Sequence, residues 1–124
     1  MKEIIFTETA PKAIGPYSQA TATETLVYTS GQLGIDVATG KLAEGVENQA
    51  HCAMKNLGEL LKAKGLGYAS IVKTTIFLKD LADFATVNAV YASYFTGEYP
   101  ARSTIQVAAL PLGGLVEIEC VAVR

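Results

Sequence analysis

The chain has 124 residues, half of them hydrophobic and 18% charged; this fits one domain, residues 1–124, around one core and excludes a disordered chain. No apolar run approaches the roughly 20 residues that span a bilayer, and Met1-Lys2-Glu3-Ile4-Ile5-Phe6 lacks the long apolar stretch of a signal peptide, so a soluble, cytoplasmic protein is expected. The net charge of −2, with eight scattered lysines and two arginines, offers no basic stripe to phosphates and argues against a nucleic-acid partner.

The N-terminal part reads as strands: Glu3–Thr7, Tyr17–Thr23 and Leu26–Leu33. Gly15-Pro16 punctuates the approach to Tyr17, and Gly31 inside the third strand marks a bulge or a close backbone approach. Val46 to Lys64 is predicted as a helix, because Val46, Ala50, Ala53, Met54, Leu57, Leu60 and Leu61 recur at spacings of three and four. Glu44 and Glu47 at its start and Lys62 and Lys64 at its end suit the helix dipole, and Gly65 is the expected C-cap.

Ile71–Lys79 reads as a strand apolar on both faces, hence a central one. Asp80 or Asp83 would cap a second helix through Phe84, Val87, Val90, Tyr91, Tyr94 and Phe95, which Gly97 ends. Two strands close the chain, Arg102–Ala109 and Leu115–Val123, separated by Pro111 and Gly113-Gly114. The economical architecture is α+β, two helices on one face of a mixed sheet. No helix is left to cover the other face, which argues for an oligomer in which sheets pack on sheets.

Arg102 is the only arginine inside the chain. Its planar fork matches a carboxylate, while at a strand edge the same charge would also discourage aggregation. Glu117 and Glu119 share one face of the last strand by the period of two, and a solvated face would explain them; Val121 and Val123 continue that face and argue that it is not fully open to water. Tyr17, Ser18 and Ser30 sit beside Gly15, Pro16 and Gly31, where hydroxyls either meet a ligand or satisfy local backbone groups. His51, the only histidine, falls within the first helix as a surface or packing residue. Cys52 and Cys120, 68 residues apart, have no neighbours at metal-ligand spacing and read as buried thiols, so neither a metal nor a disulfide is expected. Serine-hydrolase, phosphate-loop and zinc-peptidase motifs are absent.

Pro100-Ala101-Arg102-Ser103-Thr104-Ile105, with Ala108-Ala109-Leu110 and Val116-Glu117-Ile118-Glu119, resembles the C-terminal signature of the Rid (YjgF-like) family of imine deaminases. Ala13-Ile14-Gly15-Pro16-Tyr17-Ser18-Gln19-Ala20, Thr29-Ser30-Gly31-Gln32, and Val72-Lys73-Thr74-Thr75 running into Lys79-Asp80-Leu81 and Val87-Asn88 agree with it, in order, over nearly the whole chain. The resemblance implies a chorismate-mutase-like fold in a homotrimer. It also implies cofactor-free hydrolysis of 2-imino acids or their enamine tautomers, such as 2-iminobutanoate and 2-iminopropanoate, released by pyridoxal-phosphate dehydratases. The products would be a 2-oxo acid and ammonia.

Carried onto this chain, the resemblance makes Arg102 the carboxylate clamp and Glu117 the group that orients or deprotonates water. Tyr17, Ser30 and Gly31 would line the pocket, with the backbone of Thr104 in contact. Thr104 stands where many members have cysteine, which leaves a backbone contact and removes a thiol role. Pro111-Leu112-Gly113-Gly114 lacks the charges that many members carry there. The alternatives are a non-catalytic module binding 2-oxo acids or amino acids and, third, an endoribonuclease, which the acidic balance and the single helical histidine disfavour; one arginine is also too few for a chorismate mutase.

A plain hairpin about Leu112-Gly113 would put Arg102 opposite Val123, roughly 20 Å along the strands from Glu117. The resemblance instead places Ile71–Lys79 between the two strands. Either way, a site between subunits is expected, with at least one of Tyr17, Ser30, Arg102 and Glu117 supplied by a neighbour.

Overall fold

The structure is a computed structural model that describes residues 1–124. In chain order the elements are β1 (Glu3–Ile5), β2 (Ala20–Ala22), β3 (Leu26–Thr29), β4 (Gln32–Leu33), β5 (Ile35–Asp36), β6 (Lys41–Leu42), α1 (Gly45–Lys62), β7 (Ile71–Leu78), α2 (Phe84–Ala92), β8 (Ala101–Gln106) and β9 (Val116–Val123). The main sheet runs β1-β2-β3-β9-β7-β8, with β4 also paired to β9, and β5 and β6 form a separate small hairpin. Only β7 and β8 are parallel, α2 being their crossover; the other pairs are antiparallel. This is the expected mixed sheet, and β7 is the expected inner strand.

The core lies between this sheet and the helices. Val116, Ile118, Cys120 and Ala122 of β9 and Ile76 and Leu78 of β7 pack against Ala50, Ala53, Met54, Leu57 and Leu61 of α1 and Val87, Val90 and Tyr91 of α2. Met54, Leu57, Leu60 and Leu61 are fully buried, each contributing roughly 1.5–3 kcal/mol of apolar burial. Two polar residues share the buried stripe of α1. Gln49 donates to Ala43 O and accepts from Leu115 N, and Asn56 donates to Leu33 O and Ile35 O. Each amide thereby pairs with backbone of the segments that pack on α1.

Several boundaries differ from the sequence reading, for local reasons. Strand Tyr17–Thr23 contracts to β2 because Tyr17 is turned by its N–H bonding Gly15 O, and the buried Gln19 side chain ties Thr7, Ala10 and Pro11. Leu26–Leu33 is interrupted at Ser30-Gly31, between β3 and β4. The second helix stops at Ala92, since the Ser93 hydroxyl takes Val90 O and Tyr94 and Phe95 continue in three-residue turns. Asp80 caps the short 3-10 turn Leu81–Asp83 that leads into α2. The C-cap of α1 is Ala63, and Gly65 takes the left-handed conformation (φ +70°) two residues later. Of the two thiols, Cys120 is buried but Cys52 is only half-buried, because position 52 falls at the margin of the stripe on α1.

The other sheet face has no helix. It carries Tyr28, Val121, Val123, Phe77 and Ile105 together with Glu117 and Glu119, and Ile105 is 47% exposed. Strand β8 pairs on one side only and forms an edge of the sheet.

Gly34 lets the backbone before β5 lie directly on α1, where an added Cβ would meet the Cα, Cβ and carbonyl of Gln49. Replacing Gly34 with Ala should lower stability by about 2 kcal/mol or more, since backbone must move. Gly67→Ala, where a Cβ meets nothing within 4 Å, is the control and should be near neutral in urea unfolding.

Candidate active site

Arg102 lies near the start of β8, in register with Thr74 of β7, which in turn pairs with Cys120 of β9. Paired residues share a face, so Arg102 points to the helix side of the sheet. There its guanidinium donates to Asn88 Oδ1 at 2.7 Å and lies over two rings of α2, with Cζ 5.5 Å from the Phe84 centroid and 5.1 Å from that of Tyr91. The Tyr91 hydroxyl is itself fixed by Thr74 Oγ1 at 2.7 Å, and burial pushes its pKa up. Neither ion pair of the chain, Glu3 with Lys64 or Glu3 with Arg124, involves Arg102. Arg102, Asn88, Tyr91, Ala92, Tyr99 and Pro100 line a cleft of about 320 Å³.

Glu117 occupies the opposite face. It pairs with Phe77 on one side and Leu33 on the other. The break at Ser30-Gly31 makes room for it. Tyr28 pairs with Val121 but Gln32 with Ile118, so one extra residue is inserted on the β3–β4 side, as in a β-bulge. The Thr29 hydroxyl accepts from Cys120 N across the irregularity. The Glu117 carboxylate then lies against Gly31, where a Cβ would come within 2.5 Å of Oε1 and 2.8 Å of the carboxyl carbon. Both readings of Gly31, bulge and close approach, hold. Burial, reinforced by the like charge of Glu119 on the same face, raises the Glu117 pKa above the usual glutamate value.

Tyr17 and Ser30 line a third region, a cleft of about 330 Å³ shared with Ser18, Thr21, Tyr28 and Thr29. The Ser30 hydroxyl donates to Ser18 O at 2.6 Å, and Tyr17, 49% exposed, accepts from Ile14 N. Thr104 follows Arg102 on the helix side, and its hydroxyl is buried without a hydrogen-bond partner. His51 bonds Tyr94 and lines neither cleft.

The plain hairpin does not form, because β7 separates β8 from β9. Arg102 is level with Cys120, three residues along from Glu117 and two strands away, roughly 14 Å between Cα atoms and on opposite faces. One chain therefore does not bring Arg102 and Glu117 around one small acid. A larger cleft, about 600 Å³, lies on the outer side of α1, but its Lys55 and Lys62 are balanced by Asp36 and Glu59, so it offers a carboxylate no net charge.

The sequence reading missed what surrounds Arg102. Phe84, Asn88 and Tyr91 recur at i, i+4 and i+7 on α2, one helix face turned to the guanidinium. The available signal was an arginine strand following an uncharged helix with that spacing.

Residues 7–124 match the family model described as Endoribonuclease L-PSP. The chain belongs to this family, the Rid family. It is 58% identical to Reactive Intermediate Deaminase A, chloroplastic, of Arabidopsis thaliana over 98% of this chain and 65% of that longer protein. It is 51% identical to the 2-iminobutanoate/2-iminopropanoate deaminase of Mus musculus over 100% of this chain and 93% of the relative. Among solved structures, E. coli TdcF with bound serine superposes with a TM-score of 0.95 at 43% identity, covering 98% of each chain. No helix of this Rid chain is long and apolar enough to cross a membrane.

The raised pKa of Glu117 has a consequence for stability. The folded state binds this proton more tightly than the unfolded state, so stability falls as pH rises from the ordinary 4.5 through the folded pKa. Glu117→Gln should therefore raise the Tm at pH 7, and the gain should vanish below pH 4.5, in thermal melts across that range.

Proposed function

We propose that this Rid chain is a hydrolytic deaminase that converts 2-imino acids, including 2-iminobutanoate and 2-iminopropanoate, to 2-oxo acids and ammonia without a cofactor. The observation that carries the reading is Arg102: a guanidinium without a carboxylate partner, held over two rings at the wall of a cleft. Such a group is free to take a small carboxylate through two parallel hydrogen bonds. The names of the Arabidopsis and mouse relatives supply the reaction.

Hydrolysis needs little more than positioning, because the imine carbon is already electrophilic. Water adds to the C=N carbon as Glu117 accepts its proton. Glu117 returns that proton to the nitrogen to give the carbinolamine, then takes the hydroxyl proton and passes it to the amino group as C=O forms and the C–N bond breaks, and ammonia leaves. A carboxylate whose pKa is raised by burial is a better proton acceptor than one in water. Tyr17, Ser30, Gly31 and the backbone of Thr104 complete the pocket in this reading, with no metal involved.

The site forms between subunits, in a homotrimer of chorismate-mutase-like build in the cytoplasm, each chain a single domain. Three features support this: the sheet face without a helix, where Tyr28, Phe77 and Ile105 lie uncovered by any element, the unpaired edge of β8 that bears Arg102, and the opposite facing of Arg102 and Glu117. A neighbour's Arg102 would complete the wall formed by Tyr17, Ser30, Gly31 and Glu117.

A binding module is the second reading, favoured by a solved relative that holds serine. Glu117 separates the two, since a binder of acids gains little from a second carboxylate. In an assay coupled to a threonine dehydratase, wild type should speed oxo-acid release. Arg102→Ala should abolish the effect, Arg102→Lys should lose most of it, and Glu117→Gln should slow hydrolysis by about 100-fold or more while still binding 2-oxobutanoate. Glu119→Gln should matter less. Wild-type turnover by Arg102→Ala would end the proposal.

Mixing Arg102→Ala with Glu117→Gln chains should, after subunit exchange, give activity well above that of either variant alone. A fully active monomer in sedimentation would place the site within one chain instead.

A further inference from the structure

We infer that Asn88 is a positioning residue for Arg102, whose task is to hold the guanidinium fork in one orientation without neutralising its charge. This rests on the reading of Arg102 as the carboxylate clamp and assigns the residue that keeps the clamp open.

Asn88 lies on the α2 face turned toward β8, half-buried, with its Oδ1 2.7 Å from Arg102 Nη1. A guanidinium has donors only, so the amide oxygen must face it. That one bond occupies one arm of the fork. Phe84 and Tyr91 confine its plane, and the Tyr91 ring is itself locked by the Thr74 hydroxyl. The remaining N–H groups border the cleft that Asn88, Tyr91 and Tyr99 share with Arg102.

The acceptor is an amide where a carboxylate would bind arginine more strongly. An aspartate is nearly isosteric with asparagine and would keep the geometry, but it would form a local ion pair and repel an incoming carboxylate. In this chain the ion pairs are made by Glu3, and none reaches Arg102. A structural residue placed only to fix β8 to α2 would be served at least as well by aspartate. An asparagine is what a site needs when the cation must be ordered and still fully charged toward its ligand.

The test compares Asn88→Asp, Asn88→Ala and Arg102→Ala with wild type. The readouts are titration calorimetry with 2-oxobutanoate, steady-state kinetics on dehydratase-generated imine, and thermal unfolding. Asn88→Asp should weaken oxo-acid binding and raise KM by about tenfold or more, with a smaller change in kcat and a Tm equal to or above wild type. Asn88→Ala should weaken binding less, because the charge stays free while its orientation loosens. Loss of binding with retained or increased stability is an outcome that a purely structural Asn88 would not produce. If Asn88→Asp binds oxo acid like wild type while Arg102→Ala does not, the assignment of Asn88 is wrong and the clamp stands. If Arg102→Ala also binds like wild type, the clamp reading itself fails. Loss of binding that tracks a fall in Tm in both Asn88 variants would reduce Asn88 to a packing role and overturn the inference.

Discussion

The alternation of side chains across β8, β7 and β9 is the constraint on which the rest of the molecule depends. In β9, Val116, Ile118, Cys120 and Ala122 must face the helices, because they fill the core against α1. Glu117 and Glu119 are thereby committed to the other face. Register then fixes Thr74 with Cys120 and Arg102 with Thr74, so Arg102 is committed to the helix side. A one-residue slip in either pairing would exchange the faces and bury a charge, so the core and the site are set by the same hydrogen-bond ladder.

The ladder is irregular at two places, at Val72 of β7 and at Ser30-Gly31 beside Glu117, and the second break has a use. The extra residue at Ser30-Gly31 opens the strand where Glu117 needs space, and the glycine leaves that space unfilled. Several of the backbone groups freed there find new partners. Ser30 N bonds Gln19 O, the Ser30 hydroxyl bonds Ser18 O, and Thr29 takes Cys120 N. The irregularity is thus held by hydroxyls whose types the sequence shows but whose partner is, for Thr29, 91 residues away.

Two charged groups are held in opposite electrostatic settings. Arg102 keeps its charge among neutral partners, an amide and two rings. Glu117 is half-buried next to another carboxylate, which makes its ionised form costly. Neither arrangement is what stability alone would select, since an arginine gains from a carboxylate and a glutamate gains from water. Both make sense if ligand carboxylate and reacting water supply the missing partners.

The longer elements were legible in the sequence, whereas the short β5–β6 hairpin and the split of β3 from β4 were not. The stripe from Ala50 to Leu61, the inner strand Ile71–Leu78 and the paired Glu117 and Glu119 follow from periodicities of 3.6 and 2, which are properties of neighbouring residues. The Rid family was likewise readable from ordered motifs, as was the irregularity at Gly31. Other facts depended on residues distant in the chain. The buried amides of Gln49 and Asn56 pair with backbone at Leu33, Ile35, Ala43 and Leu115, and no periodicity reports such partners. The insertion of β7 between β8 and β9, the facing of Arg102 away from Glu117, and the Asn88 bond that orients the guanidinium were decided only in three dimensions. Strand order and register are relations between segments, fixed when the whole sheet closes on its core, and no single stretch of residues contains them.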